Sequence, residues 1–102
     1  MDKKELLLTY QSRTGRAVWI GPDTEETLCE LAQRGTKNVT VLTPGFAPDC
    51  VETLEETRML AADKFLRSGG EHFSHVPSLN DSELAVDLLS DIICTELQGW
   101  AA

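Results

Sequence analysis

Apolar positions along the chain alternate between two spacings. Glu5 to Tyr10 holds the unbroken run Leu6-Leu7-Leu8, and Val39 to Thr43 holds a second apolar run. Runs this short, without polar alternation, suit strands covered on both faces. A third and shorter one spans Phe73 to Val76. Between and after them the spacing becomes three and four. Leu28, Leu31 and Ala32 form one stripe, and Val51, Leu54, Ala61, Ala62 and Phe65 a second. Leu84, Leu88, Ile92 and Leu97 form a third, widened by Leu89 and Ile93. These spacings predict three amphipathic helices.

Polar and glycine residues punctuate that pattern. Gly15, Gly21 and Pro22 mark a loop after the first run. Asp23 or Thr24 can cap the next helix, with Glu26 placed three residues after Asp23 as in a capping box. Gly35 stops it, because glycine takes the left-handed conformation without strain. The second helix is expected from about Cys50 to Ser68, ended by Gly69-Gly70. Asn80 or Asp81 is expected to cap the last helix, with Glu83 three residues after Asn80. The whole reads as one α/β domain over residues 1–102, in the order β-α-β-α-β-α, with a small parallel sheet and right-handed crossovers. Three parallel strands are few, so one sheet edge is expected to seek a partner in a larger fold or an oligomer.

Charge and cysteine usage narrow the function classes. The 102 residues carry a formal net charge of −8, with a pI near 4.6. An acidic surface repels phosphate backbones, which argues against nucleic acid as a partner, and it disfavours anionic membranes equally. Cys29, Cys50 and Cys94 stand far apart with no CxxC pair, so neither a zinc site nor an iron–sulfur cluster is expected. Three reduced thiols suit a cytosolic protein. No signal-like segment opens the chain and no apolar run is long enough for a transmembrane segment. A soluble, cytoplasmic protein is the expectation.

Two segments carry side chains chosen for more than packing. In Tyr10-Gln11-Ser12-Arg13-Thr14-Gly15-Arg16-Ala17-Val18-Trp19, at the carboxyl end of the first expected strand, Gln11, Ser12 and Arg13 offer donors in a row ahead of a Gly/Pro loop. Arg13 and Arg16 suit carboxylate recognition, and Trp19 could stack on a flat ring. A self-satisfied polar loop with Trp19 over the core accounts for the same residues. The second segment runs from Pro44 to Glu56 and sits at the carboxyl end of the second expected strand, where ligands bind in open α/β sheets. Glu52 and Glu56 are four apart on one helical face, and a cation between them would relieve their repulsion. Asp49 and Glu52 also fit an ordinary capping box, which leaves Phe46 and the Pro44-Gly45 turn unexplained. His72 and His75 match no catalytic spacing. The absence of GxGxxG, P-loop and GxSxG patterns removes support for the common dinucleotide, nucleotide and hydrolase readings.

Taken together, the two segments resemble the C-terminal domain of ferrochelatase, the family that inserts ferrous iron into porphyrin. The resemblance runs through Leu8-Thr9-Tyr10-Gln11-Ser12-Arg13, Gly15, Trp19, Gly21-Pro22, Thr24-Glu25-Glu26, Gly35 and Asn38. It continues in the Pro44–Glu56 block and Ser78-Leu79-Asn80. Its most specific part is Phe–x–x–Asp–x–x–Glu–Thr–Leu at Phe46 to Leu54. The resemblance implies a chelatase-like, three-layer Rossmann-like half, one of two domains flanking a porphyrin cleft, and a lyase of heme biosynthesis. It implies Glu52 as proton acceptor or metal conduit, supported by Asp49, with Gln11, Ser12, Arg13, Trp19 and Phe46 lining the porphyrin pocket. It implies Glu56 on the path of ferrous iron, which is a substrate, and the thiol of Cys50, though not the family's usual residue, can still bind soft metal there; no tightly bound cofactor is expected. Desolvation and the neighbouring carboxylates are expected to raise the Glu52 pKa. The family helix carries a π-bulge, which would turn the face drawn above.

Three departures bear on this. Cys50 replaces a frequent histidine, and a thiol is the poorer proton carrier near neutral pH. Leu60 stands where the family often has a third carboxylate. Neither His72 nor His75 matches the family's Ser-x-His histidine on the facing wall. The chain is therefore expected to be a fragment, a truncated reading frame or half of a split protein, inactive alone and needing an N-terminal half or an oligomeric partner. The alternatives are a porphyrin- or metal-binding assembly module without catalysis, and a non-functional remnant.

Overall fold

A computed structural model describes residues 2–100. A helical turn at Lys3–Glu5 is capped by the Asp2 carboxylate. The first helix, α1, covers Thr24–Gln33, followed by strand β1 at Asn38–Val41. A π-helical segment at Glu52–Ala61 runs without a break into α2, Ala62–Arg67. Strand β2 is His72–His75 and helix α3 is Glu83–Glu96. β1 and β2 pair in parallel, Asn38 opposite His72 through Val41 opposite His75. The α/β class and the small parallel sheet thus stand as expected.

The first strand of the expected order is not formed as a strand. Leu6, Leu7 and Leu8 stay exposed, and the segment makes one isolated parallel bridge, between Tyr10 and Asp23. Two backbone bonds carry it, Tyr10 N–H to the Pro22 carbonyl and Thr24 N–H to the Tyr10 carbonyl, both 2.9 Å. An apolar run of this kind needs a neighbouring strand and a cover on each face. The described residues supply neither at Leu6–Leu8.

Helix α1 follows its punctuation. Asp23 caps it, its carboxylate accepting from the Glu26 N–H at 3.0 Å. Gly35 ends it at φ +99°, with its own N–H on the Ala32 carbonyl and the Thr36 N–H on the Leu31 carbonyl, a glycine C-terminal cap. Leu28 and Ala32 bury their side chains against Ala61 and Phe65, and Val39, Val41 and Phe73 of the sheet close over them.

The second helix keeps Ala61 and Phe65 of its expected face and departs from it before them. Val51 is 65% exposed and Leu54 is exposed as well. The buried row is Thr53, Thr57, Ala61 and Phe65, a strict spacing of four. An i→i+5 bonding pattern turns each residue through a smaller angle than an α-helix does, so positions four apart stay in register with the core. Helix α3 departs further. Its cap is Ser82, whose hydroxyl accepts from the Ala85 N–H at 3.2 Å, rather than Asn80 or Asp81. Only Ala85 of α3 is buried; Leu84 is 82% exposed, and Leu88, Leu89, Ile92 and Ile93 are exposed too. The radius of gyration is 17.0 Å, against about 13 Å for a compact domain of this length.

Candidate functional site

The π-helical segment positions the acidic residues, and two other parts of the chain hold it. On one side the segment after Tyr10 docks onto it. Gln11 Nε2 donates to the Glu52 carbonyl at 2.9 Å, and the Ser12 hydroxyl donates to Glu56 Oε2 at 2.6 Å. Ser12 takes φ +67° to do so, a left-handed conformation rare outside glycine and met often at functional sites. Gln11, Ser12 and Arg13 line an open groove of about 230 Å³ together with Glu56, Thr57 and Leu60. That is below the roughly 300–1,000 Å³ of small-molecule pockets.

On the other side Asp49 ties the start of the segment to the loop before α3. Asp49 N–H donates to Asn80 Oδ1 at 2.7 Å, and Asn80 Nδ2 returns a bond to Asp49 Oδ2 at 2.9 Å. Thr53 Oγ1 donates to Asp49 Oδ1 at 2.9 Å, and the Ser78 N–H lies 3.4 Å from the same oxygen. These donors hold the Asp49 pKa down at about 2, Asn80 contributing most and Thr53 next. The expected capping box is absent: the cap residue Val51 offers no side-chain bond, and the Thr53 hydroxyl takes the Cys50 N–H at 2.9 Å instead.

Glu52 is half-buried. The adjacent Cys50 thiol, then its own backbone N–H, act as donors that lower the pKa of its carboxylate, against a smaller upward push from burial. This reverses the expected sign. Donors to the charged form favour it, and here they outweigh desolvation, the one cause that raises the pKa.

The remaining candidates sit as follows. Arg13 is paired within the protein, its Nε 3.2 Å from Asp23 and its two terminal nitrogens 3.3 and 3.2 Å from the Glu26 carboxylate. Glu26 therefore serves this fork rather than the capping box. Trp19 stands outside the core, 48% exposed, with its indole N–H on the Thr14 carbonyl at 2.6 Å. Phe46 is half-buried in a turn closed by its N–H on the Thr43 carbonyl at 3.0 Å. Neither aromatic lines the groove, and neither do Asp49, Cys50 and Glu52. Among the described residues, no three His, Cys, Asp or Glu side chains converge to hold a metal ion. His75 contacts the Thr43 hydroxyl at 3.3 Å.

Thr53, Thr57 and Asn80 organise this region, and residue-by-residue reading gave Thr53 and Thr57 no role. The signal was present: small polar residues at 53 and 57 continue the four-spaced row of Ala61 and Phe65. Asn80 at φ +52° serves as a brace to Asp49, where a helix cap was expected.

A family model described as Ferrochelatase matches residues 1–97. The ferrochelatase of Bradyrhizobium diazoefficiens is 48% identical over 100 residues, which cover 98% of this chain and 29% of that protein. The ferrochelatase of Brucella anthropi is 47% identical with the same coverage, and that of Brucella ovis is 47% identical, with 28% of its length covered. The chain thus spans under a third of the curated relatives it matches.

Proposed function

The chain belongs to the ferrochelatase family, and from that membership we propose that it forms one wall of a cleft where ferrous iron enters a porphyrin, a lyase step of heme biosynthesis. The observation that carries this reading is the docking of Gln11 and Ser12 onto Glu52 and Glu56. It joins the two segments singled out by their chemistry at a single wall.

Insertion exchanges two pyrrole protons for one Fe²⁺, so the wall must offer a base and must favour positive charge. Glu52 is the base. Its lowered pKa keeps it ionised at neutral pH, ready both to attract the metal and to take a proton. A porphyrin closing over it would exclude water and raise that pKa, which favours proton acceptance. Asp49 supports Glu52 by fixing the entry of the π segment and by staying charged. Glu56, held by Ser12 at the groove, lies upstream on the metal path, with the Cys50 thiol beside Glu52 as a softer ligand. Trp19 and Phe46 offer apolar faces to a flat ring. Gln11, Ser12 and Arg13 act through their bonds to Glu52, Glu56 and α1. Ferrous iron enters as substrate, and no resident cofactor is invoked.

The facing wall would come from the part of the family's length this chain does not span, or from an oligomeric partner; the open groove and the uncovered α3 support that need. Free thiols at Cys29, Cys50 and Cys94 fit a reducing cytoplasmic location. No helix among the described residues is long and apolar enough to cross a membrane. The test is to join this chain to the remaining residues of the Bradyrhizobium relative and change Glu52 to Gln. Chelation should fall by about a hundredfold or more, and a rate near the unsubstituted protein would end the assignment.

A further inference from the structure

π winding occurs mostly as single-turn bulges, yet here it persists over ten residues, Glu52–Ala61. One side-chain bond within it is of a kind that only this winding permits, and a second side chain braces that bond. The Thr57 hydroxyl lies 3.1 Å from the Glu52 carbonyl oxygen, five residues back. In an α-helix a threonine hydroxyl reaches the carbonyl three or four residues back. The fifth lies elsewhere on the cylinder, because each residue turns through about 100°.

Gln11 completes the arrangement. Its Nε2 donates to the same Glu52 carbonyl at 2.9 Å, and its Oε1 lies 3.1 Å from the Thr57 hydroxyl. The amide has one sensible orientation, since turning it over would set its oxygen against the carbonyl oxygen. The Thr57 hydroxyl carries a single proton and serves one of its two acceptors at a time. Gln11 keeps the Glu52 carbonyl satisfied when that proton goes to Oε1. Thr57 is buried at 2% exposure, so water competes poorly for these bonds.

We propose that Thr57 and Gln11 are positioning residues that hold the segment in π register and thereby set the direction of the Glu52 carboxylate. A contact shifts an equilibrium only as far as it differs between the two states. The Thr57–Glu52 bond meets that condition: it is made in the π register and lost in the α register. A change of register would also turn Glu56 relative to Ser12, whose bond to it is 2.6 Å. Gln11 and Ser12 are consecutive, so the chain after Tyr10 grips the segment at two successive turns. The functional consequence rests on Glu52 as proton acceptor; the register itself does not.

Thr57→Val keeps the shape and removes the hydroxyl, Thr57→Ser keeps the hydroxyl, and Gln11→Leu removes the second partner. All are made in the joined protein. The primary readout is which amide donates to the Glu52 carbonyl, from crystal structures or couplings across the hydrogen bond in labelled protein. The unsubstituted and Ser proteins should use the Thr57 N–H, five residues on. The Val and Leu proteins should shift to the Glu56 N–H, four residues on. With that shift kcat should fall by about a hundredfold, Ser should restore most of it, and the porphyrin KM should move less than about threefold. A Val protein that keeps the Thr57 N–H on Glu52 overturns the proposal whatever its activity. A shifted register with unchanged kcat upholds the register role and overturns Glu52 as the proton acceptor. Should the Val protein fail to fold, Gln11→Leu decides by the same criterion.

Discussion

Phe65 and Gly70 form a pair whose energetics can be worked from the structure. Phe65 is fully buried among Leu28, Ala32 and Ala61, with its ring centroid 6.2 Å from that of Phe73 at an interplanar angle of 51°. Phe65→Ala should cost about 3–5 kcal/mol, a large share of the roughly 5–15 kcal/mol that holds a small domain together. Gly70 lies against the same ring, and a Cβ there would fall onto the Phe65 ring carbons. Gly70→Ala alone should therefore cost about 1–3 kcal/mol through overpacking. With the ring removed, the clash disappears and the methyl enters the space left behind. What remains is the effect of alanine on the unfolded chain, a gain of about 0.4–1 kcal/mol. The two substitutions should thus couple by about 1.4–4 kcal/mol, the overpacking cost plus that gain. Urea unfolding of the four proteins, followed by circular dichroism in sucrose to strengthen burial, measures the cycle. A Phe65→Ala loss below about 1 kcal/mol would refute the core assignment. An equal cost of Gly70→Ala in both backgrounds would refute the contact.

Asp49 sets an acid dependence. Its folded pKa is about 2 against an ordinary 3.8, so its stabilising contribution is present above 3.8 and lost as pH falls through 2; the urea midpoint should drop over that window, and Asp49→Asn should flatten the drop. Arg13→Ala removes an exposed ion pair with Glu26 and one with the largely covered Asp23; it should cost about 1 kcal/mol in the same unfolding assay, and a loss above about 2 kcal/mol would make the fork a structural brace. Ile92→Ser on the exposed face of α3 should change the stability of the 102-residue chain by less than about 0.5 kcal/mol. In the joined protein the same change should cost about 2–5 kcal/mol if that face becomes covered, and equal effects in both would show it uncovered. The 102-residue chain alone, incubated anaerobically with ferrous iron and porphyrin, should form no metalloporphyrin above background.

Local rules carried the elements where one short stretch contains both signal and partner. Asp23 and Gly35 bound α1 because cap and stop act within a turn of the helix. The second strand was expected at Val39–Thr43 and the third at Phe73–Val76, and both formed within two residues of those bounds. The second helix was legible as a helix, with Ala61 and Phe65 on the buried face as expected and the face before them misread. The α-spacing selected Val51 and Leu54, which stay exposed, along with Ala61 and Phe65, which are buried; the bond proposed to choose the winding, Thr57 to Glu52, spans five residues, and Gln11, over forty residues away, braces it. The state of Glu52 was hidden by a competition among near neighbours. The carboxylates around it in sequence suggest a raised pKa, while Cys50, two residues before it, and its own N–H lower it. Asn80 is the complementary case, a residue with the local look of a helix cap that serves Asp49 instead.

An apolar stripe states that a helix needs cover and is silent on what covers it. The stripe on α3 and the Leu6–Leu8 run were the plainest apolar patterns in the sequence, and both lie open among the described residues. The pocket shares that dependence, since a groove of about 230 Å³ lacks the second face a flat macrocycle would need. The aim of Glu52 does not share it. Gln11 and Thr57 hold its carbonyl, and the neighbouring Cys50 thiol lowers the pKa of its carboxylate, so this chain already fixes the backbone that carries the side chain. Aim and enclosure are therefore separable. A partner wall can change how dry Glu52 is, and so its pKa, without being needed to set its direction. Isotope-edited titration of Glu52 in the 102-residue chain and in the joined protein distinguishes the two contributions. The register-reporting bonds should be the same in both, while the pKa should rise in the joined protein once porphyrin is bound. A register that forms only in the joined protein would show instead that the partner wall, rather than Gln11 and Thr57, sets the aim.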